Sequence, residues 1–194
     1  LAHAPMEPLN CTVQLSGSGA AAKATVWTGT QMPGLDTGAA ARTLGIKPEQ
    51  VTMNVQMAGG GFGRRGLLTS DFVTEACTIA KAAQTAGLTA PVRTVWSRED
   101  DVRGGYYRPM HVHRAEIGFD AQGKVLAWDH VIVGQSIMGG TFFEPMMVKN
   151  GVDETMVEGM GKPYSVPMRL SAHHPKLNVP VLWWRSVGST HTGY

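Results

Sequence analysis

The chain has 194 residues, 43% of them hydrophobic and 16% charged, which is enough apolar material to bury a core and excludes a disordered segment. A formal net charge of +2 gives no strong field, so a nucleic-acid or anionic-membrane surface is not indicated. Only two cysteines occur, Cys11 and Cys77, and there is no C-x-x-C, which removes cysteine-bound zinc and iron–sulfur clusters from this chain.

In chain order, residues 10–16 and 24–30 alternate between apolar and polar and predict two strands, joined as a hairpin by the flexible stretch 17–23. Asp36 is placed to cap a short helix running to Leu44, where Gly45 supplies the stop. Residues 51–57 read as a strand. Residues 70–86 read as a helix, with Phe72, Ala76, Ile79, Ala80 and Ala83 on one face, Ser70 or Thr69 at its start and Gly87 at its end. Residues 91–96 form a strand, and the acids of Ser97-Arg98-Glu99-Asp100-Asp101 then read as a solvated turn. Residues 110–119 and 124–134 predict a second hairpin about Asp120-Ala121-Gln122-Gly123. Between 138 and 162 the pattern breaks down into an irregular excursion, whose methionines read as adaptable packing. Residues 164–172 and 179–184 are extended. The order β-β-α-β-α-β-β-β implies an α/β or α+β fold, a mixed sheet with covering helices, in one segment spanning 1–194.

The densest signal is Gly59-Gly60-Gly61-Phe62-Gly63-Arg64-Arg65-Gly66, set between a strand and a helix. Glycines lacking Cβ can take φ > 0 and turn successive N–H groups toward an anion, and Arg64 and Arg65 suit phosphate. The stretch 61–66 also matches G-x-G-x-x-G, so a dinucleotide-binding module is one alternative. It requires a parallel sheet with the loop at its centre and an acid about 20 residues on, and Glu99 and Asp100 come later than that. A non-catalytic assembly domain with a merely structural loop is the other.

Three further segments accompany the loop in a fixed order: 3–12, His-Ala-Pro-Met-Glu-Pro-Leu-Asn-Cys-Thr; 27–33, Trp-Thr-Gly-Thr-Gln-Met-Pro; and 183–188, Trp-Trp-Arg-Ser-Val-Gly. Together with 60–63 they resemble the molybdenum-cofactor subunit of the xanthine oxidase and aldehyde oxidoreductase family, in particular the isoquinoline 1-oxidoreductase β subunit type and related membrane-linked aldehyde dehydrogenases. The resemblance implies the molybdopterin-binding fold of that family and an oxidoreductase that hydroxylates an aldehyde or N-heteroaromatic with water as oxygen source. It implies that the Gln31 amide donates toward an oxo ligand of molybdenum, and that Gly60, Gly61, Phe62, Gly63 and Arg64 border the cofactor. It also implies that Arg185 is the family's active-site arginine, with Arg108 a further candidate. Neutral donors and a fixed guanidinium suit a centre that gathers negative charge. The implied cofactor is molybdopterin cytosine dinucleotide. The implied partners are the remainder of the large subunit, a small [2Fe–2S] subunit and a cytochrome acceptor, and the parent protein is expected in the periplasm or cell envelope.

Departures narrow the carry-over. Arg64-Arg65-Gly66 stands where many relatives have Gly-Lys-Glu, so the glutamate that holds purine-like substrates is missing. Val187 stands where others carry an aromatic, removing a ring-stacking role. The family's catalytic glutamate belongs to a distal motif with no match here, so the segment alone is expected to be inactive. Without an initiator methionine, and ending at Tyr194 directly after an apolar run, the chain reads as an excised piece, with apolar surface expected to drive self-association. His111 and His113 point to one strand face and His173 and His174 form another pair, but neither has a complementing cysteine or carboxylate set, and a polar sheet face explains them.

Overall fold

The computed structural model describes residues 1–160 and 164–184 together with Val187, Ser189 and Thr192. They divide into two compact units, 1–105 and 106–194.

The first unit is a four-stranded mixed sheet covered by helices. β1 (Asn10–Ser16) and β2 (Lys23–Thr28) form the expected antiparallel hairpin, with Thr12 opposite Trp27 and Ser16 opposite Lys23. Helix α1 (Pro33–Leu44) then carries the chain over to β3 (Val51–Val55), which lies parallel to β2. Helix α2 (Asp71–Thr85) returns it to β4 (Val92–Val95), antiparallel to β1, giving the order β3-β2-β1-β4. The alternation in β1 and β2 sends Cys11, Val13, Ala24 and Val26 to one face, where they meet Ala40 and Ala41 of α1 and Phe72, Val73, Ala76, Cys77 and Ala80 of α2.

Gly45 ends α1 at φ 74° as its sequence position predicts. The expected start of α1 does not hold, whereas Ser70 does stand at the start of α2. Pro33 occupies the first turn of α1 behind Met32, and Asp36 lies inside the helix, buried and accepting from the Thr30 hydroxyl instead of capping. Ser70 precedes α2 at φ 51° without a side-chain cap bond. The solvated turn expected at 97–101 is instead helix α3 (Arg98–Gly104), because Ser97 and Asp100 satisfy each other's backbone N–H in a capping box. That helix turns Asp101 inward until it is 2% exposed.

The second unit is built on β5 (His111–Phe119) and β6 (Val125–Gly134), an antiparallel hairpin whose turn is closed by Asp120 accepting from the N–H groups of Gln122 and Lys124. β9 (Met168–His173) lies parallel to β6. The excursion before it contains the short helices α4 (Glu144–Met147) and α5 (Glu154–Val157) and the two-stranded pair β7 (Val148–Lys149) and β8 (Val152–Asp153). Its organiser is polar. The buried Asp153 carboxylate accepts from the Ser136 and Thr155 hydroxyls and from the N–H groups of Ile137, Met138 and Thr155. Burial alone would raise this carboxyl, but the Ser136 and Thr155 hydroxyls and the Met138 and Thr155 N–H groups hold it below its ordinary range. The strand expected over 179–184 reduces to a bridge between Tyr107 and Val181, with Leu182 and Trp183 buried beside it.

Cys11 and Cys77 are both buried free thiols in the first unit, and burial pushes each up to about 12. Neither should react with Ellman's reagent in native buffer, and both should react in denaturant. Phe72→Ala, at a side chain 2% exposed, should destabilise the first unit by about 3 to 5 kcal/mol in urea unfolding.

Candidate functional site

The arm before β1 and the loop after β3 close on each other. The Glu7 N–H donates to the Gly59 carbonyl at 2.9 Å, and the Gly59 N–H donates back to Glu7 Oε2 at 2.8 Å. A Cβ on Gly59 would lie 2.4 Å from that of Glu7, so only glycine admits this approach. Asn10 Nδ2 donates to Glu7 Oε1 at 2.8 Å, occupying the second carboxylate oxygen. The Asn10 amide first, then the Gly59 N–H, holds Glu7 below the ordinary carboxylate range. Four residues upstream, His3 Nδ1 lies 3.0 Å from the Phe62 carbonyl, which can only accept, so this nitrogen carries a proton. Burial lowers the His3 pKa.

Within the loop Phe62 sits at φ 49°, a left-handed conformation that non-glycine residues rarely adopt and that stores roughly 1–3 kcal/mol. Its carbonyl is the one His3 holds, and its ring lies over Gly60, where a Cβ would be 3.3 Å from Cζ.

The two arginines correct the expectation drawn from their position. Arg64 and Arg65 are 0% and 1% exposed and brace the loop from within, so their guanidinium groups do not form a phosphate contact surface. Arg64 grips Asp71 at the start of α2 through two nitrogens, at 3.0 and 2.6 Å, lies 3.8 Å from Asp101, and stacks over the Trp96 ring. Arg65 donates to the carbonyls of Gly29 at 2.9 Å, Pro8 at 3.2 Å and Glu7 at 3.3 Å, and pairs with the Glu7 carboxylate at 3.4 Å. Arg98 completes the set, bonding Asp101 at 3.1 Å and the carbonyls of Pro5 and Met6. Burial raises the Asp101 carboxyl even though Arg64, Arg98 and Arg65 pull it down, and burial lowers Arg65.

Gln31 joins this arrangement directly. Its N–H donates to the Arg65 carbonyl at 3.0 Å, its side chain is exposed, and its Oε1 would meet a Cβ on Gly61 at 2.9 Å. Thr30 beside it bonds the buried Asp36, whose carboxyl burial raises against the Ser70 and Thr30 hydroxyls. Among the described residues the N–H groups of Gly60, Gly61 and Gly63 have no acceptor. The exposed Gln31 amide and the half-buried backbone of Gly61 are therefore neighbours that offer neutral polar groups, with the neighbouring cations already matched by Asp71, Asp101 and Glu7. Such groups bind anionic or strongly polar oxygen atoms through dipoles, without a titrating group.

Gln31, Gly60, Gly61, Phe62 and Gly63 are thus brought together, whereas Arg185 lies outside the described residues and Arg108 is half-buried in the second unit. His111 and His113 share a sheet face as expected, and His113 Nδ1 lies 3.0 Å from Nε2 of His130 on β6. His174 is taken up by the Gly134 carbonyl and the Asp153 N–H. Among the described residues no three of His, Cys, Asp and Glu are grouped as metal ligands would be. The roles of His3, Glu7, Asp71 and Asp101 escape sequence reading. Asp71 is signalled only by its place at a helix start seven residues after Arg64, His3 and Glu7 meet the loop across more than 50 residues, and Asp101 is reached by Arg64 from another element and by Arg98 within a helix expected as a turn.

β3, which feeds the loop, is an edge strand, and of the three strand pairs in its sheet only β2 with β3 is parallel. That is not the central position in a parallel sheet that a dinucleotide site requires. The family model described as the molybdopterin cofactor-binding domain matches residues 1–181. The chain is 32% identical over 188 residues to the isoquinoline 1-oxidoreductase subunit beta of Brevundimonas diminuta, an alignment covering 96% of this chain and 23% of that protein. It is 31% identical over 139 residues to the aldehyde oxidoreductase molybdenum-binding subunit of Escherichia coli, covering 72% of this chain and 18% of that one. The chain thus spans less than a quarter of the length of these curated relatives. Among solved structures, quinoline 2-oxidoreductase from Pseudomonas putida 86 shares the fold at a TM-score of 0.67, with 23% identity over 97% of this chain and 23% of that one. The aldehyde oxidoreductase from Desulfovibrio gigas shares it at 0.61, with 15% identity over 95% of this chain and 19% of that one.

Arg65→Met should destabilise the first unit by about 2 to 4 kcal/mol in denaturant unfolding, because it removes the donor to the carbonyls of Gly29, Glu7 and Pro8, while Glu7 keeps Asn10 and the Gly59 N–H. Glu7 has a folded pKa below its ordinary 4.5, so its contribution to stability is complete above that value and is lost as pH falls through the lowered folded pKa. Thermal unfolding followed from pH 6 to pH 3 should show a steeper acid loss for wild type than for Glu7→Gln, roughly in proportion to the protons each state takes up.

Proposed function

The chain belongs to the molybdopterin cofactor-binding domain family, and on that premise we propose that the surface formed by Gln31 and Gly60–Gly63 is its part of the wall around a molybdopterin cytosine dinucleotide. The observation that carries this reading is the pairing of the exposed Gln31 amide with a glycine stretch whose N–H groups at Gly60, Gly61 and Gly63 lack acceptors among the described residues. The residues fit such a group. Gly61 leaves open a space that a Cβ could not enter without displacing Gln31, and backbone donors suit phosphate and pterin oxygens without adding charge. The cofactor, when bound, supplies the redox chemistry of an oxidoreductase acting on an aldehyde or N-heteroaromatic with water as oxygen source.

The chain's own residues do the rest in this reading. Gln31 orients and donates, with its backbone fixed by the Arg65 carbonyl. The glycines bring N–H groups close to the ligand, and the Phe62 turn, held by His3, sets their direction. Arg64 and Arg65 hold the loop still, so that little reorganisation is needed when charge develops at the site. Arg185 is assigned the family's active-site arginine on its motif alone. The partners proposed for the parent subunit are its remaining length, a small [2Fe–2S] subunit and a cytochrome acceptor, with the periplasm or cell envelope as its place. Support for partners comes from the relatives being named as subunits. The isolated segment is proposed to be inactive.

The experiment is metal and pterin analysis of the intact parent protein, with aldehyde oxidation assayed on the same samples, beside Gln31→Ala and Arg185→Ala. Molybdenum with a cytosine dinucleotide in wild type, and at least about a hundredfold loss of turnover in variants that remain folded, is the expected result. A fully active parent without molybdenum would overturn the reading.

A further inference from the structure

β4 is the last strand of its sheet, bonded to β1 on one side only. The Trp96 N–H donates to the Leu9 carbonyl, which fixes the alternation. Val92, Thr94 and Trp96 turn their backbone groups to β1, while Arg93 and Val95 turn theirs out of the sheet. An open edge is ordinarily blunted, yet here the apolar Val95 is 54% exposed on it. Beside the same edge lies a cleft of about 470 Å³ lined by Glu75 of α2, Thr94, Val95 and Trp96 at the end of β4, and Asp100 and Arg103 of α3. Trp96 Nε1 donates to Glu75 Oε2 and forms part of its wall. Ile79, one turn after Glu75 on α2, is 42% exposed.

We propose that β4 receives a further strand, supplied by the part of the same large subunit that lies outside residues 1–194, and that a lysine or arginine of that strand enters the cleft. This rests on the reading of the chain as part of a longer subunit, whose relatives are more than four times its aligned length. Backbone pairing to Arg93 and Val95 supplies the affinity. The side chains that the added strand turns toward the helices fall between α2 and α3, where two carboxylates face one guanidinium and favour a cation. The exposed Val95 packs against the opposite face of the same strand.

Amide hydrogen exchange on the intact large subunit, resolved to single residues, tests this, with molybdenum content read on the same sample. The Arg93 and Val95 amides should exchange as slowly as those of Thr94 and Trp96, at least about a hundredfold slower than an open edge. Val95→Pro, which leaves the β1 pairing intact because the Val95 N–H faces outward, should release Arg93 while Thr94 stays protected. Rapid exchange at Arg93 and Val95 in the subunit alone would overturn the proposal. So would protection that appears only on adding a separate subunit, or that rises with protein concentration as a second copy would make it. A protected edge in a subunit without molybdenum would instead support this strand and count against the cofactor reading, and an open edge in a molybdenum-loaded subunit would do the reverse.

Discussion

Two consecutive guanidinium groups buried beneath a glycine-rich loop demand compensation that the whole first unit is arranged to provide. An ion of this size carries an effective burial penalty of several kcal/mol, so each must find opposite charge and acceptors in good geometry. Arg64 finds them at the start of α2 and within α3, and Arg65 finds them in the N-terminal arm and the end of β2. The N-terminal arm, the end of β2, α2 and α3 are therefore each tied to one of two neighbouring residues within the loop. Three arginines, 64, 65 and 98, meet three carboxylates, Glu7, Asp71 and Asp101, and the neutrality of that set is what permits so much charge to be enclosed.

The same bracing explains how a loop with five glycines over 59–66 can hold a single shape. Gly59 is pinned in both directions by Glu7, Phe62 is kept in a left-handed turn by His3, and Gln31 is fixed by the Arg65 carbonyl. What is left unengaged among Gly60, Gly61 and Gly63 is the set of N–H donors, with the Gln31 amide beside them. Preorganised donors of this kind act without rearranging when a ligand arrives, which is the property expected of the wall of a cofactor site.

Much of the fold was legible because local patterns were strong. The alternation over 10–16 and the apolar stripe of α2 each identify one element and its buried face, the pattern over 111–119 identifies a strand, and Gly45 marks the end of α1. Gln31 and the glycine loop were also legible, since ordered motifs survive without knowledge of tertiary contacts. The arginines were misread because their environment is made by distant residues. A sequence shows Arg64 and Arg65 beside a ligand loop but not that Glu7, Gly29 and Asp101 enclose them. Asp101 was hidden twice, by a capping box that turns an expected loop into a helix and by a helical register that points one acid of three inward. Asp153 was hidden likewise, because a buried carboxylate satisfied by five uncharged donors has no charge partner to betray it.

The most direct measurement is made on Gly61→Ala in the intact parent subunit. Gly61 has no positive φ to strain, and the added methyl would press on the movable end of Gln31 at 2.9 Å, so the melting temperature should hardly change. If the glycine surface and the Gln31 amide together line the cofactor site, pterin content or turnover should fall by about tenfold or more while the melting temperature holds. Unchanged pterin content and turnover in a subunit where Gln31 has been displaced would contradict it.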